Sequence, residues 1–184
     1  MRRLLSEKSP DLRDKIVENR GTLKKLQLMV PGLKEYRQLE DIRAADQLLR
    51  KQVSDKLNDA KDRFEDLRKA ITIKGDLGNL PTIGAAISQI QQLAGTVLHA
   101  QQGSAGISPN IRIDDNTLNK LYEYDFNFVS SAQQIFSTAS NSVSEYNSGI
   151  SPQEISSKII PMLDDFKRVW QQRLDSVEDI LVTK

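Results

Sequence analysis

The feature that most constrains this chain is a long run, from Lys34 to about Ile73, that contains neither glycine nor proline. At ~1.5 Å per residue, one helix over this run would extend for roughly 60 Å, which favours an elongated bundle over a spherical domain. Its apolar residues recur mostly three or four apart, the spacing that puts side chains on one helical face. They are Leu39, Ile42, Leu49, Val53, Leu57, Ala60, Phe64, Leu67 and Ile71.

Turn and capping residues predict four further helices. Ser9-Pro10 is typical of a helix start and Val30-Pro31-Gly32 of a helix end. Ser151 to Glu154 has the pattern of a capping box, and Pro161 should kink or break the helix that follows. We therefore predict one all-α domain over residues 1–184, an elongated antiparallel bundle of three to four helices with a short N-terminal helix. The predicted helices are about 10–29, 34–73, 80–101, 115–146 and 152–182.

The stretch from Leu77 to Ile111 contains no Asp, Glu, Lys or Arg. It does not read as a membrane span, because glutamines interrupt it and no run approaches the ~20 predominantly apolar residues that a bilayer requires. The pattern instead predicts a helix covered on more than one side, by other helices or by a second subunit. Gln89 and Gln92 are the candidate interface residues on this helix, and Trp170 is a further candidate.

The overall net charge of +1 is unevenly distributed. Residues 1–75 carry 19 Lys and Arg against 13 Asp and Glu, whereas the rest of the chain is acidic. The simplest interpretation is that helices with oppositely charged surfaces attract each other across the bundle. A nucleic-acid surface is disfavoured because acids interleave with the basic residues, as in KLNDAKDRFEDLRK, and would repel a phosphate backbone.

An acid, Asp46, occupies a position of the apolar stripe in the long helix. Arg43 lies three residues before it and Arg50 four after, so both can reach its carboxylate on one helical face. A buried carboxylate is tolerated when it is paired, so we predict a structural ion-pair network, with Asp125 of the LYEYD segment as a further counter-charge for Arg43 or Arg50. A ligand pocket is the alternative. Tyr36, Arg37, Arg43, Asp46, Arg50 and Asp125 are the candidate residues for either.

One motif here resembles the hallmark of a family of uncharacterised prokaryotic helical-bundle proteins. The motif, PGxxxYxxxExxRxxDxLLR, runs from Pro31 to Arg50, and LYEYD follows at residues 121–125. The resemblance implies a spectrin-like bundle with no established activity. Members tend to be encoded beside zinc-ribbon and band 7-like membrane-scaffold proteins, which implies a partner-binding or membrane-periphery role.

The sequence gives little support to catalysis, cofactor binding or metal binding. Its one histidine, His99, has Thr96 three residues before it, which excludes the Glu-x-x-His pairs of bundle di-iron sites. The chain has no cysteine, and the glycines at 75 and 78 lack the spacing and the lysine of a phosphate-binding loop. We therefore expect no catalytic residue, no cofactor and no metal.

Three functional hypotheses remain. The first is a non-enzymatic scaffolding bundle that binds a protein partner or self-associates through a helical face. The second is a peripheral membrane binder that uses the basic N-terminal helices, and the third is a small-ligand or sensor bundle with a pocket around Tyr36, Arg50 and Tyr124. The start of the chain has the features of neither a signal peptide nor a transit sequence, so we expect a cytoplasmic protein, with the membrane periphery as the alternative location.

Overall fold

The computed structural model describes the backbone of residues 12–36, 39–100 and 115–182, and the side chains of residues 21–36, 41–100 and 116–176. These residues form five α-helices and a 3-10 turn, Leu77–Asn79, and contain no strand. The prediction of an all-α helical bundle is confirmed. The helices are α1 (Leu12–Met29), α2 (Leu39–Ile73), α3 (Leu80–His99), α4 (Asp115–Asn147) and α5 (Pro152–Val182).

Helices α2 to α5 form a closed ring of four. Helix α2 packs against α3 and α4, and α5 packs against the same two helices on the other side. Helix α1 lies outside this ring, against α4. The bundle is therefore four helices in cross-section with a fifth added to its surface.

The ring consists of two antiparallel hairpins, α2 with α3 and α4 with α5. The hairpins lie side by side, with α2 parallel to α4. Ser54 of α2 contacts Ala94 of α3, while the earlier Arg50 contacts the later Ala100. On α2 and α4, by contrast, Lys56 lies over Phe136 and Lys74 lies over Tyr146, so residue numbers rise together. The predicted antiparallel arrangement thus holds within each hairpin and not between them.

Helix α3, with 20 residues, is much shorter than α2, α4 and α5, which have 35, 33 and 31. Its end lies beside Arg50, whose guanidinium donates a hydrogen bond to the carbonyl of Ala100. Residues 39–49 of α2 therefore extend beyond the end of α3. The candidate site lies at this end of the bundle.

The apolar stripes read from the sequence form the core. On α2 the stripe from Ile42 to Ile71 is buried, and on α3 every stripe residue from Ile83 to Val97 is buried. Phe128 of α4 stacks on Trp170 of α5, with ring centroids 5.0 Å apart. Burial of such side chains stabilises the fold by about 1.5–3 kcal/mol each, so these stripes account for most of the packing energy.

The start of α2 differs from the prediction. We expected a helix from residue 34, but residues 33–36 are not helical and α2 begins at Leu39. The reason is tertiary: the backbone N–H of Tyr36 donates to the hydroxyl of Tyr122, 2.8 Å away on α4. That contact draws the segment into the core before the helix begins.

The other boundaries agree with the sequence to within two residues where they are described. Met29 ends α1, and Gly32 adopts a φ of 89° that turns the chain. Ser151 and Glu154 form the predicted capping box, with the N–H of Glu154 donating to Ser151 Oγ and the N–H of Ser151 to Glu154 Oε2. Helix α5 continues through Pro161, so this proline does not break it. The predicted cap at Ser9 and the loop after His99 lie outside the described residues, apart from Ala100.

Candidate functional site

Two carboxylates and two guanidinium groups are buried together where α2, α4 and α5 meet. They belong to Asp46 and Arg50 of α2, Asp125 of α4 and Arg173 of α5, and we call them the ionic network. Asp125 and Arg173 are each only 1% exposed, and the two α2 residues are below 9%. Charged side chains are seldom buried this deeply unless they are paired, so the positions of these four depend on one another.

Arg173 lies at the centre of the network. Its Nε donates to Asp125 Oδ1 at 2.7 Å, and its Nη1 donates to Asp46 Oδ1 at 2.6 Å. The guanidinium also lies over the ring of Phe128, 5.1 Å from its centroid. One side chain of α5 thereby joins α4 to α2 through charge-assisted hydrogen bonds.

Tyr36 connects the network to the segment before α2. Its hydroxyl donates to Asp125 Oδ2 at 2.5 Å, so both oxygens of that carboxylate accept hydrogen bonds. Its ring stacks on Tyr122 with centroids 4.6 Å apart, and its backbone N–H donates to the Tyr122 hydroxyl. The chain between α1 and α2 is thus fixed to α4 by two tyrosines.

Arg50 connects the network to the end of α3. Its Nε lies 2.9 Å from Asp46 Oδ2, and its Nη1 donates to the carbonyl of Ala100, the residue that caps the C-terminus of α3. The carbonyl end of a helix carries partial negative charge, so a cation here is favourable. The network therefore contacts every helix of the ring.

Burial and charge set the protonation states in the network. Burial raises the pKa of the Tyr36 hydroxyl far above its usual value, and the neighbouring Asp125 charge adds to the effect, so Tyr36 is the hydrogen donor. Burial also raises the pKa of Asp125, against the opposing effect of Arg173. For Arg173 burial favours loss of the proton, but the charges of Asp125 and Asp46 outweigh it and raise the pKa, so the guanidinium remains charged.

The charged groups of the ionic network are paired with one another inside the protein. The two positive and two negative charges balance, and each group is hydrogen-bonded or ion-paired within the protein. Removing one member would leave a buried charge without its partner, which strongly disfavours the folded state. The arrangement can fix the register of α2, α4 and α5 along the bundle axis.

The structure brings together four of the six residues that the sequence singled out: Tyr36, Asp46, Arg50 and Asp125. Arg43 is half-buried and forms no ion pair with Asp46 within the described residues, because Arg50 and Arg173 occupy that carboxylate. Asp125 pairs with Arg173, so the predicted pairing with Arg43 or Arg50 is wrong. Arg37 lies outside the described residues.

Sequence reasoning missed Arg173 and Tyr122, although Arg173 had a detectable signal. Phe166, Trp170 and Arg173 continue the three-four spacing of the apolar stripe of α5, in the same way that Asp46 continues that of α2. A cation in one stripe and an acid in another are the expected halves of a buried ion pair. Tyr122 carries no comparable signal, because a tyrosine in an apolar stripe is ordinary core.

The three candidate interface residues have different positions. Trp170 is 5% exposed and packs on Phe128 inside the bundle, so it is not an exposed interface residue. Gln92 is exposed on α3. Gln89 is half-buried, and its Oε1 is a buried atom without a hydrogen-bond partner in the protein.

The outer surface of α3 carries no Asp, Glu, Lys or Arg. Its exposed residues are Pro81, Ala85, Ser88, Gln91, Gln92, Thr96, Leu98 and His99, and Gly84 and Gly95 are half-buried along its edge. The outer surface of α2 is different, because ion pairs such as Lys51 with Asp55 and Arg68 with Glu65 occupy it. The charge depletion predicted from the sequence is thus presented to solvent on one helix.

Within the described residues, no helix has the length and apolar character needed to cross a bilayer. The same part of the chain contains no group of three or more acidic or histidine side chains placed to hold a metal ion.

Comparisons of the chain with protein-family models, with curated proteins and with solved structures found no match.

Proposed function

We propose that the protein is a non-enzymatic scaffolding bundle of the cytoplasm, and that it self-associates through the outer surface of α3. The observation that carries this proposal is the absence of charge on that surface in a chain whose residues are 28% charged. Depletion of charged residues is the compositional feature that distinguishes the centre of a protein interface from the rest of a surface. A second copy of the chain is the partner of choice, because a surface without ionic side chains brings no like charges together when it pairs with itself.

Two glycines on α3 support close approach by another chain. A Cβ added at Gly84 or Gly95 would meet no atom of the protein within 4 Å, so internal packing does not require glycine there. Neither has a positive φ. Glycine within a helix is nevertheless less favourable than alanine by about 0.5–1 kcal/mol. Close backbone contact with a partner helix would give these residues a role.

Gln89 adds nothing to this surface, because its Oε1 is closed off from solvent within the single chain and is therefore out of reach of a partner. The surface of one short helix is small for an interface, so we expect association that depends on protein concentration.

The experiment is light scattering on a size-exclusion column over a series of protein concentrations. Wild type should move from monomer to dimer as the concentration rises, whereas Gln92→Lys should remain monomeric because it places like charges opposite each other. Gln172→Lys is the matched control, since it puts the same charge on an exposed glutamine of α5, whose surface already carries ion pairs. A wild type that stays monomeric throughout, or a dimer unaffected by Gln92→Lys, would overturn the proposal.

Peripheral membrane binding is the second candidate function, favoured by one observation on α1. Leu28 is 78% exposed there, and Lys24 and Lys25 are exposed beside it. An apolar side chain next to basic residues is the composition used at anionic membrane surfaces, although one leucine gives little area for insertion. Flotation with anionic liposomes that is lost in Leu28→Ser and at high salt would favour this function over the first.

A further inference from the structure

A cleft lies between the end of α1 and the parallel helices α2 and α4, away from both the ionic network and the outer surface of α3. Its volume is about 170 Å³. The floor is formed by Val53, Val129 and Ala132, and Met29 of α1 contributes a wall. Because these side chains are apolar, the cleft offers a hydrophobic surface to a small molecule.

The rim of the cleft carries three hydrogen-bond donors that are weakly engaged within the protein. Gln52 Nε2 lies 3.4 Å from the Pro31 carbonyl, and Gln133 Nε2 lies 3.5 Å from Ser137 Oγ. The Lys56 ammonium lies 3.7 Å from its acidic partner Asp59. All three distances exceed the usual 2.7–3.2 Å of a good hydrogen bond, so each donor has bonding capacity to spare.

The charge of the rim selects the type of ligand. Lys56 contributes a positive charge and Gln52 and Gln133 contribute amides, and among the residues that the structure describes no acidic side chain lines the cleft. The Lys56 ammonium also lies over the ring of Phe136, 4.4 Å from its centroid, which fixes its position at the rim. A ligand with a negative group at one end and an apolar body would match both parts of the cleft.

The volume limits the apolar body to about one ring, because an apolar cavity of about 150 Å³ accommodates benzene. We propose that this cleft binds a small monocarboxylate, with its apolar body on Val53, Val129 and Ala132 and its carboxylate at Lys56. Since α1, α2 and α4 all line the cleft, the bound acid also strengthens the attachment of α1 to the bundle. The proposal does not depend on self-association.

Benzoate is the probe, with benzamide as its uncharged counterpart. In a nitrogen-15 chemical-shift titration of the full chain, benzoate should give saturable shifts at Gln52, Val53, Val129 and Gln133, with a Kd of about 1 mM for a ligand of this size. Benzamide should bind about threefold more weakly or worse, because it lacks the charge that pairs with Lys56. Absence of saturable shifts at the cleft, or equal affinity for the two compounds, would overturn the proposal.

Two variants test the role of the ammonium. Lys56→Gln should reduce the affinity for benzoate to that for benzamide and leave benzamide binding unchanged. Lys51→Gln is the control, because Lys51 is an exposed lysine of the same helix outside the cleft. A preference for benzoate that survives Lys56→Gln, or that is lost in Lys51→Gln, would contradict the assignment. The titration is made below the concentration at which the chain associates, so a failure of self-association leaves this test intact.

Discussion

Arg173 is the residue on which the ionic network depends, because its guanidinium contacts both buried carboxylates. We predict that Arg173→Met lowers the free energy of unfolding by about 3–5 kcal/mol, since Asp46 and Asp125 would lose their shared cation inside the bundle. Urea denaturation followed by circular dichroism measures this loss. Arg168→Met is the matched control, because the exposed pair of Arg168 with Asp165 contributes under about 1 kcal/mol. Similar losses in the two variants would show that the network does not stabilise the fold.

Tyr36 gives the network a dependence on alkaline pH. Its pKa in the folded protein is raised by burial, so its contribution to stability is fully present below the unfolded pKa of about 10 and is lost as the pH rises above it. We predict that stability falls above pH 10 by up to about 1.4 kcal/mol per pH unit from Tyr36 alone.

Tyr36→Phe tests this dependence. The variant should be less stable than wild type at neutral pH by about 1.5–3 kcal/mol, because a hydrogen bond to a carboxylate is lost, but its stability should fall less steeply between pH 10 and 12. Urea denaturation at successive pH values gives both quantities. An unchanged slope in Tyr36→Phe would place the alkaline sensitivity elsewhere, with buried Tyr122 the next residue to test because burial raises its pKa as well.

At the scale of single residues the sequence predicted the existence of the network better than its pairing. Asp46 stands out because it interrupts an apolar stripe, and Arg173 interrupts another in the same way. The pairing of acidic and basic side chains depends on how the helices are arranged and on their axial register. The periodicity of the sequence specifies neither. That is why Asp125 was assigned to Arg43 or Arg50 when its partner, Arg173, lies 48 positions further along the chain.

On α3, substitution of Gly84 and Gly95 should change the stability of the chain and its self-association in opposite directions. We predict that changing each to alanine raises the free energy of unfolding of the monomer by about 0.5–1 kcal/mol and weakens self-association. The stability should rise because alanine favours a helix more than glycine does and its methyl group would meet no atom of the same chain. Association should weaken because the same methyl group would hold a partner helix away. Urea denaturation at low concentration and light scattering at high concentration measure the two effects.

Gly21→Ala is the control for this pair. Gly21 is also a helical glycine with open space around it, but it belongs to α1. Gly21→Ala should raise the free energy of unfolding as the α3 substitutions do, and it should leave self-association unchanged. If Gly84→Ala and Gly95→Ala behave like Gly21→Ala in both measurements, the outer surface of α3 is not the contact surface.

Helix limits were predictable wherever local chemistry determines them. Proline and glycine end α1, and the capping box of Ser151 and Glu154 begins α5. The errors occurred where contacts distant in sequence override local preference, as when the hydroxyl of Tyr122 takes the backbone N–H of Tyr36 ahead of α2. Of the two outcomes predicted at Pro161, a kink or a break, the break does not occur: α5 continues through this exposed proline, with Ile159 and Leu163 buried on either side.

The whole molecule combines a ring of four helices with a network that contacts all of them near one end. The sequence indicates which face of each helix is buried but not which helices are neighbours, so the parallel placement of α2 beside α4 could not be read from it. Once α3 ends beside Arg50, the three longer helices continue without it, and the contacts of Arg173 and Tyr36 join them there. Stability at this end therefore rests on polar pairing as well as on apolar packing.

This architecture predicts that the ring unfolds as one unit. The single tryptophan, Trp170, lies beside Phe128 near the network and reports on that end of the bundle, whereas circular dichroism reports on all helices. Because α2, α4 and α5 each run from the network to the opposite end, loss of the network should release the whole ring. We therefore expect the urea transitions followed by tryptophan fluorescence and by circular dichroism to coincide, as in two-state unfolding. In Arg173→Met both transitions should shift together to lower urea; a fluorescence transition that precedes the loss of helix would instead show that the network end opens separately and that the ionic network stabilises only its own surroundings.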